Sequence, residues 1–382
     1  MRRRVSLGGE ENQGQFQRPV AADRVRERVA IMRGWFGIGV LAVSVALSVT
    51  SAVSAADRIV RKSVKTPVDG EIKDISKTEV TIEKKAGGSE KIAAGDILSI
   101  TWDGEPAGLN IARINETNGA FDKAVEAYRK GLEAAASGSD GLKADLQWSI
   151  ARVLGRQALG DPSRADEAIK ELEAFKSKHG GHYTFYDATR LLGELYLQKK
   201  DLVKAQAQFE QMGKAPTTDF QMASKIALGR LALADNKTDD ALASFEAVIG
   251  MSASNPQEES QQLEAKLNKA KITLSKNQVD DALKLLDEVL VKCQADDSRL
   301  QAEAYLRQGD CFRVQNKEQD ALLAYLHVDV LFSAEKTQHA EALYQLTKLF
   351  AKLGQPARSA EQREKLEAEY PASDWTKQAK AG

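Results

Sequence analysis

A small residue recurs along most of the chain at intervals of 36 to 44 residues. The seven positions are Ala124, Ala168, Ala205, Ala241, Ala282, Ala321 and Ser359. In the first six copies a second packing position follows four residues later and a third follows three residues after that. Offsets of 0, 4 and 7 place all three side chains on one face of an α-helix. The chain is therefore predicted to be an array of similar helical units that bury their apolar faces against one another.

The best-preserved copy spans residues 186–216 and predicts two amphipathic helices joined by a short polar turn. Gly193 in the first helix and Ala205 in the second are small, which lets the two helices approach closely. Phe209 is large enough to fill the space beside them, and Pro216 ends the second helix. The small residue of the first helix recurs in other copies as Ala112, Gly155, Gly229, Ala270 and Gly309.

The order of residue types in this copy is that of a known repeat. The residues that carry it are Leu192, Gly193, Tyr196, Ala205, Phe209 and Pro216. Their pattern resembles the tetratricopeptide repeat family, in which L-G-x2-Y is followed by A-x3-F and then by P. The resemblance covers residues 105–375 and implies a mainly α fold, an α-solenoid of about seven helical hairpins. The first and last copies match less well, with Asn115 and Arg363 at aromatic positions, as expected of end caps.

The resemblance also implies a groove, because the first helices of stacked hairpins line the concave face of such a solenoid. The positions that match the family's ligand-facing positions are Asp187, Arg190, Glu194, Ile226, Arg230, Leu267, Lys271, Glu303, Leu306, Asp310, Tyr344 and Lys348. Their mixture of charged and aliphatic side chains suits an extended or helical protein segment with apolar anchors. The lysine and asparagine set with which one branch of the family clamps a terminal carboxylate is absent, so chaperone tails are not expected.

The N-terminal part of the chain predicts export. Residues 1–31 are polar and are expected to be disordered, and a start at Met32 would exclude them from the native protein. Residues 32–56 hold one basic residue, Arg33, an uncharged apolar segment and a small-residue end, which is typical of a secretory signal peptide. Residues 34–56 are also long enough to remain as a membrane anchor. Both interpretations place the rest of the chain outside the cytoplasm, either periplasmic or anchored to the membrane.

Residues 57–104 differ from the repeats. Apolar and polar residues alternate there in short runs, and glycine-containing turns such as Asp69-Gly70 and Gly87-Gly88 separate the runs. This pattern predicts a small antiparallel β unit, which resembles SH3-like or Sm-like barrels in strand number and spacing alone. A unit this small buries little apolar surface, so we expect it to pack against the first repeat. Residues 376–382 are predicted to be a tail.

Composition argues against several other functions. A net charge of −1 leaves no basic surplus to hold a polyanion, so no nucleic acid partner is expected. Cys293 and Cys311 lack metal-ligand spacing, although adjacent helices in an export compartment would permit one disulfide between them. His179 and His182 have no convincing set of further ligands nearby. We expect the two glycines between them to end a helix in a left-handed turn.

The chain has no nucleophile elbow, phosphate-binding loop or dinucleotide fingerprint, so neither catalysis, a cofactor nor a metal site is expected. The leading hypothesis is a non-catalytic scaffold of the cell envelope that binds a partner protein or peptide in its groove. The ending Tyr370-Pro371-Ala372-Ser373 resembles repeats of periplasmic and outer-membrane assembly proteins and agrees with export. The alternative hypothesis is a solenoid that acts mainly in self-association, as a homo-oligomer at the membrane.

Overall fold

The computed structural model describes residues 56–381, which form a five-stranded β-sheet followed by fifteen α-helices. The strands are β1 (Asp57–Arg61), β2 (Val68–Ile75), β3 (Glu79–Lys84), β4 (Ser89–Ala93) and β5 (Ile97–Thr101). Residues 1–31 and all but the last residue of the predicted signal or anchor segment 32–56 lie outside the described residues. Within the described part, no helix is both long enough and apolar enough to cross a membrane.

The helices pair into seven hairpins, and one further helix follows them. Their bounds are α1 (Leu109–Thr117), α2 (Phe121–Ala134), α3 (Asp140–Gly160), α4 (Ala165–Lys178), α5 (Phe185–Gln198), α6 (Leu202–Met212), α7 (Thr218–Ala234), α8 (Thr238–Ile249), α9 (Pro256–Ser275), α10 (Val279–Lys292), α11 (Ser298–Val314), α12 (Glu318–Leu331), α13 (Lys336–Lys352), α14 (Pro356–Glu369) and α15 (Asp374–Ala381). The odd-numbered helices α1 to α13 are the first helices of the hairpins, and the even-numbered ones are the second helices. Each hairpin packs against the next, so the predicted α-solenoid is confirmed.

Six of the seven hairpins turn through a residue in the left-handed region. These residues are Gly119, Lys200, Asn236, Asn277, Asn316 and Gly354, with φ between 57° and 72°. Glycine and asparagine tolerate this conformation best, which explains why they occupy all of these turns except the one at Lys200. The second hairpin differs, because α3 continues to Gly160 and a 3-10 turn at Pro162–Arg164 leads into α4.

The pairing of small with large residues accounts for the close approach of the two helices in a hairpin. A Cβ added to Gly193 would lie 2.4 Å from the Phe209 ring. The same substitution at Gly229 would meet Phe245 at 2.7 Å, and at Gly309 it would meet Tyr325 at 2.4 Å. Glycine is therefore required at these positions by packing, since the neighbouring rings occupy the space of a side chain.

The sheet is antiparallel and has the strand order β4-β3-β2-β1-β5. Ile59 of β1 lies opposite Val68 of β2 and Ile100 of β5, and all three are buried. Val80 and Ile82 of β3 are fully buried, as the alternation in this strand predicts. The predicted antiparallel β unit is thus confirmed, while its likeness to small barrels stays a prediction.

The β unit packs against more of the solenoid than the first repeat. The Trp102 ring lies against α3, where a Cβ on Gly141 would be 2.3 Å from it. Lys77 Nζ lies 5.5 Å from the centre of the Phe185 ring at the start of α5. Gly95 lies beside Asp219, in the first turn of α7. The β unit therefore lies across the N-terminal ends of α3, α5 and α7, and it shares one apolar core with this part of the solenoid.

Candidate functional site

A cleft of about 780 Å³ lies between the β unit and the first helices of the first three hairpins. We call it the junction cleft. Its walls include Leu98 and Trp102 from the β unit, Arg113 and Glu116 from α1, Asp145, Trp148, Arg152, Arg156 and Leu159 from α3, Tyr183 from the loop before α5, and Asp187, Arg190 and Glu194 from α5. Aromatic rings, aliphatic side chains and both signs of charge thus meet in one concave site.

Asp145 connects the β unit with the solenoid at this cleft. Its Oδ2 accepts a hydrogen bond of 2.5 Å from Trp102 Nε1, and its Oδ1 accepts one of 2.8 Å from the Tyr183 hydroxyl. Among the described residues, no lysine or arginine nitrogen lies within 4.0 Å of its carboxylate. Burial raises the pKa of Asp145 to about 6, because the two neutral donors compensate the loss of solvation only in part.

His182 is the basic side chain that lies nearest to Asp145 among the described residues. Its Nδ1 lies 2.9 Å from Thr184 Oγ1, and its Nε2 lies 3.4 Å from Asp145 Oδ1 without a hydrogen-bond partner. Burial lowers the pKa of His182 to about 3, so the ring is neutral at physiological pH. The prediction of a left-handed turn at Gly180 and Gly181 is wrong, because neither residue has a positive φ. The segment instead places the His182 and Tyr183 rings against α3.

Glu116 binds two arginines in the wall of the cleft. Arg152 donates two hydrogen bonds of 2.9 Å to its carboxylate, Arg156 donates one of 3.0 Å and the Tyr128 hydroxyl donates another of 3.0 Å. Burial tends to raise the pKa of Glu116, but the hydrogen bonds and positive charge of Arg152 outweigh burial and leave this pKa below its usual range. This cluster joins α1, α2 and α3 through hydrogen bonds to one shared carboxylate.

The structure brings three of the predicted groove residues to the junction cleft, namely Asp187, Arg190 and Glu194 of α5. The Asp187 and Arg190 side chains are 39% and 51% exposed, and Arg190 Nη2 lies 3.4 Å from Asp187 Oδ1. Glu194 has no ion pair within the described part of the chain. These three side chains remain accessible and only weakly engaged, so they can contact a ligand in the cleft.

Other predicted groove residues are engaged by neighbouring first helices. Arg230 of α7 pairs with Glu264 of α9. Lys271 of α9 pairs with Glu303 of α11 at 3.2 Å. Asp310 accepts hydrogen bonds of 2.6 Å from Arg307 and 2.8 Å from the Tyr325 hydroxyl. The pairs Arg230–Glu264 and Lys271–Glu303 link successive hairpins, whereas the contacts of Asp310 lie within the sixth hairpin. Together they leave the groove charges of the C-terminal half largely paired.

Three predicted groove residues are packing residues. Ile226, Leu267 and Leu306 are 3%, 3% and 1% exposed, which corrects their assignment as ligand-facing positions. A first helix packs against hairpins on both sides and its own partner, so most of its surface is buried and the exposed stripe is narrow. Tyr344 lies 5.3 Å from the Trp375 ring of α15, and Lys348 lies over Tyr344. Residues predicted to be a tail therefore belong to the helix α15, which packs against α13.

The prediction of the site missed Trp102, Asp145 and the Glu116 cluster. One signal was present in α3, where Asp145 and Arg152 interrupt a stretch that is otherwise largely apolar. Charged residues in such a position are buried only when partners or a site compensate them. Cys293 and Cys311 are free thiols. Within residues 56–381, no group of three or more histidine, cysteine or acidic side chains is arranged to hold a metal ion.

The hairpins, their left-handed turns and their small-against-large packing define an α-solenoid of helical repeats. Residues 226–298 match the model of the tetratricopeptide repeat family. This match confirms the predicted resemblance to the tetratricopeptide repeat family over residues 226–298. This fold is in general that of a scaffold for interactions between proteins.

Solved structures resemble this chain at low sequence identity. A tetratricopeptide repeat protein from Parabacteroides merdae ATCC 43184 is 14% identical, with a TM-score of 0.50 over 71% of this chain and 95% of that chain. The apo form of RapI is 12% identical, with a TM-score of 0.46 over 72% of this chain and 79% of that chain. The pilF protein of Pseudomonas aeruginosa is 17% identical, with a TM-score of 0.41 over 62% and 94% of the two chains. Among curated proteins, none matches this chain.

Proposed function

We propose that this protein is a non-catalytic scaffold of the cell envelope that binds a segment of a partner protein in the junction cleft. The observation that carries the proposal is the meeting of Asp187, Arg190 and Glu194 with the β unit at one concave site. The charges of the groove beyond α7 are mostly used to join first helices to one another. A partner segment therefore finds free polar contacts mainly at the N-terminal end of the groove.

Apolar contacts are available at the same place. Leu98 of β5 is 64% exposed and Leu159 of α3 is 39% exposed, and both line the cleft. Trp148 and Tyr183 add aromatic surface on its inner wall. Burial of a few such side chains supplies most of the affinity of a typical interface, while charges set its register and specificity. The cleft offers both apolar and charged contacts. Its volume suits a short segment of a partner and not a whole domain.

Site-specific photocrosslinking in intact native cells tests this proposal. A crosslinking amino acid at Arg190, in the cleft, should form an adduct with one defined segment of a partner, identified by mass spectrometry. The matched control is Val203 of α6, which is exposed on a second helix. Absence of an adduct at Arg190, or the same adduct at both positions, would overturn the cleft as the binding site.

The envelope part of the proposal rests on residues 32–56 and on the Tyr370-Pro371-Ala372-Ser373 ending. The mass of the protein isolated from native cells tests this part of the proposal. Cleavage near Ala55 or Ala56 would identify a signal peptide, whereas retention of residues 34–56 in a membrane fraction would identify an anchor. A protein that retains residues 34–56 and is recovered from the cytosol would contradict both.

Self-association is the second candidate function, and the exposed apolar side chains of α12 favour it. Leu323, Val330 and Leu331 are all more than half exposed, and they occur at intervals typical of one helix side. Light scattering of the purified protein separates the two functions. A monomer at micromolar concentration argues against self-association, and a defined oligomer that loses its assembly in Leu323→Lys argues for it.

A further inference from the structure

Among the described residues, the carboxylate of Asp145 has no lysine or arginine nitrogen within 4.0 Å, whereas the arginines of the cleft wall are paired. Arg113 pairs with Glu105 at 2.7 Å, and Arg152 and Arg156 both bind Glu116. The donors to Asp145 are the neutral groups of Trp102 and Tyr183. The hydrogen bond from Trp102 joins the β unit to the solenoid, but a buried carboxylate without an adjacent positive charge still costs free energy, so a cation that reached Asp145 would be stabilised there.

The surroundings of Asp145 favour a positive charge. The side chain keeps 14% of its surface accessible, and it lies in the wall of the junction cleft. Trp102 and Tyr183 line the same cleft, and aromatic faces attract cations through their quadrupole, whereas the Trp148 ring already has the Arg152 guanidinium 5.7 Å from its centre. Glu194 lines the cleft as well and has no ion pair among the described residues. The cleft thus combines two carboxylates that have no lysine or arginine partner within ion-pair distance with the aromatic rings of Trp102 and Tyr183.

We propose that the junction cleft binds a primary ammonium group, with Asp145 as its counter-ion and Glu194 as a second carboxylate. The group belongs to a lysine side chain or the amino terminus of the partner segment, so this inference rests on the proposed function and specifies its ligand. An ammonium group brings three donors, and the Asp145 oxygens retain acceptor capacity beyond their bonds to Trp102 and Tyr183. Its positive charge removes the cost of the buried carboxylate.

Binding should depend on pH through Asp145. Several charged or titratable groups face Asp145. They are Glu105 in the loop after the β unit, Arg113 of α1, Arg152 of α3, and His182 and Tyr183 in the loop before α5. His182 is neutral, and the pKa of Tyr183 is raised well above its usual value by burial, so neither changes charge near neutral pH. Because the pKa of Asp145 is about 6, the ionised fraction at pH 5 falls to about one tenth.

The test is a titration of the full-length protein with n-butylammonium, a mimic of the lysine side chain, followed by tryptophan fluorescence and calorimetry. Glycinamide is the probe for an amino terminus, and 1-butanol is the uncharged control. We expect saturable binding of an ammonium probe at pH 7.5, no binding of 1-butanol, and roughly tenfold weaker ammonium binding at pH 5, where a primary alkylamine is still charged. Preference between the two ammonium probes identifies the source of the group.

Asp145→Asn should weaken ammonium binding by about tenfold or more, and Glu194→Gln should weaken it less. The matched control is Asp240→Asn, an exposed aspartate of α8 outside the cleft. Equal affinity in Asp145→Asn and wild type would overturn the proposal. If Asp145→Asn does not fold, the pH dependence of ammonium binding to the wild-type protein is the test. An affinity that is unchanged between pH 5 and 7.5 overturns the proposal.

The outcomes separate this inference from the scaffold function. An Arg190 crosslink to a partner without any ammonium binding keeps the scaffold and rejects the ammonium site. Ammonium binding that is weakened in Asp145→Asn, without a crosslink at Arg190, supports the ammonium site and rejects the partner segment as its occupant.

Discussion

Replacing Gly193 with alanine should destabilise the third hairpin, although alanine is the better helix former. The added Cβ would lie 2.4, 2.8 and 3.0 Å from three carbons of the Phe209 ring. Ordinary contacts between carbon atoms are about 3.5 to 4.0 Å, so the ring must move by roughly 1 Å. Phe209 has no exposed surface, and its displacement therefore disturbs the surrounding core.

Two opposing effects set the magnitude. Overpacking a well-filled core costs about 1–3 kcal/mol, and alanine recovers about 1 kcal/mol relative to glycine inside a helix. We therefore expect Gly193→Ala to lower the free energy of unfolding by about 1 kcal/mol. Gly193→Trp should lower it by more, since an indole ring has to be placed in the same space.

Urea unfolding followed by circular dichroism measures this difference. The matched control is Gly160→Ala at the end of α3, where an added Cβ has nothing within 4 Å and should be neutral or slightly stabilising. Phe209→Leu removes part of the ring that the new methyl group of Gly193→Ala would meet. The double variant Gly193→Ala with Phe209→Leu should therefore lose less free energy of unfolding than the two single variants lose together, by about 1 kcal/mol.

Equal changes in Gly193→Ala and Gly160→Ala would refute the reasoning, because helix propensity alone would then explain both. Strict additivity of Gly193→Ala and Phe209→Leu would refute it as well, since the two side chains would not compete for space.

Three further predictions concern charge and the turns. Because the pKa of Asp145 is raised in the native state, the native state binds a proton there more tightly than the unfolded state does. The stability that the protonated Asp145 contributes is therefore full below about pH 4 and is lost as pH rises through about 6. Asp145→Asn should remove about 2 kcal/mol of this pH dependence, measured as the change between pH 4 and pH 7 in the difference between the unfolding free energies of variant and wild type. Lys200, with φ of 61°, should be replaced favourably by glycine or asparagine, with a rise in thermal unfolding temperature that reflects about 1 kcal/mol at most. Glu116→Gln should cost about 2 kcal/mol or more in urea unfolding because Arg152 loses its counter-ion, and adding Arg152→Met should recover part of that loss.

The periodic part of the fold can be predicted from the sequence because its determinants are local. Gly193 and Phe209 lie within one hairpin, and the same spacing rule operates in Gly229 with Phe245 and Gly309 with Tyr325. Residues at these helical offsets lie on the same side of a helix, and that side packs against the other helix of the hairpin. Nothing beyond one hairpin and its neighbours is needed to infer an α-solenoid.

The site could be predicted only in part. Asp187, Arg190 and Glu194 follow from their place on a first helix, but Ile226, Leu267 and Leu306 at comparable places are buried. A first helix faces two neighbouring hairpins and its own partner, and the width of the remaining stripe depends on how successive hairpins are rotated. That rotation results from the packing of many side chains and has no signature in a single helix.

The sequence by itself determined the repeating hairpins, the positions of the close helix contacts and the presence of a separate β unit, because each follows from short-range spacing. The tertiary structure alone decided where the β unit packs and that a cleft forms there. Trp102 and Asp145 are far apart in the chain and follow no common period, yet their hydrogen bond joins β unit to solenoid. Such contacts are set by the surfaces that stacking creates, so they exist only once the hairpins are assembled.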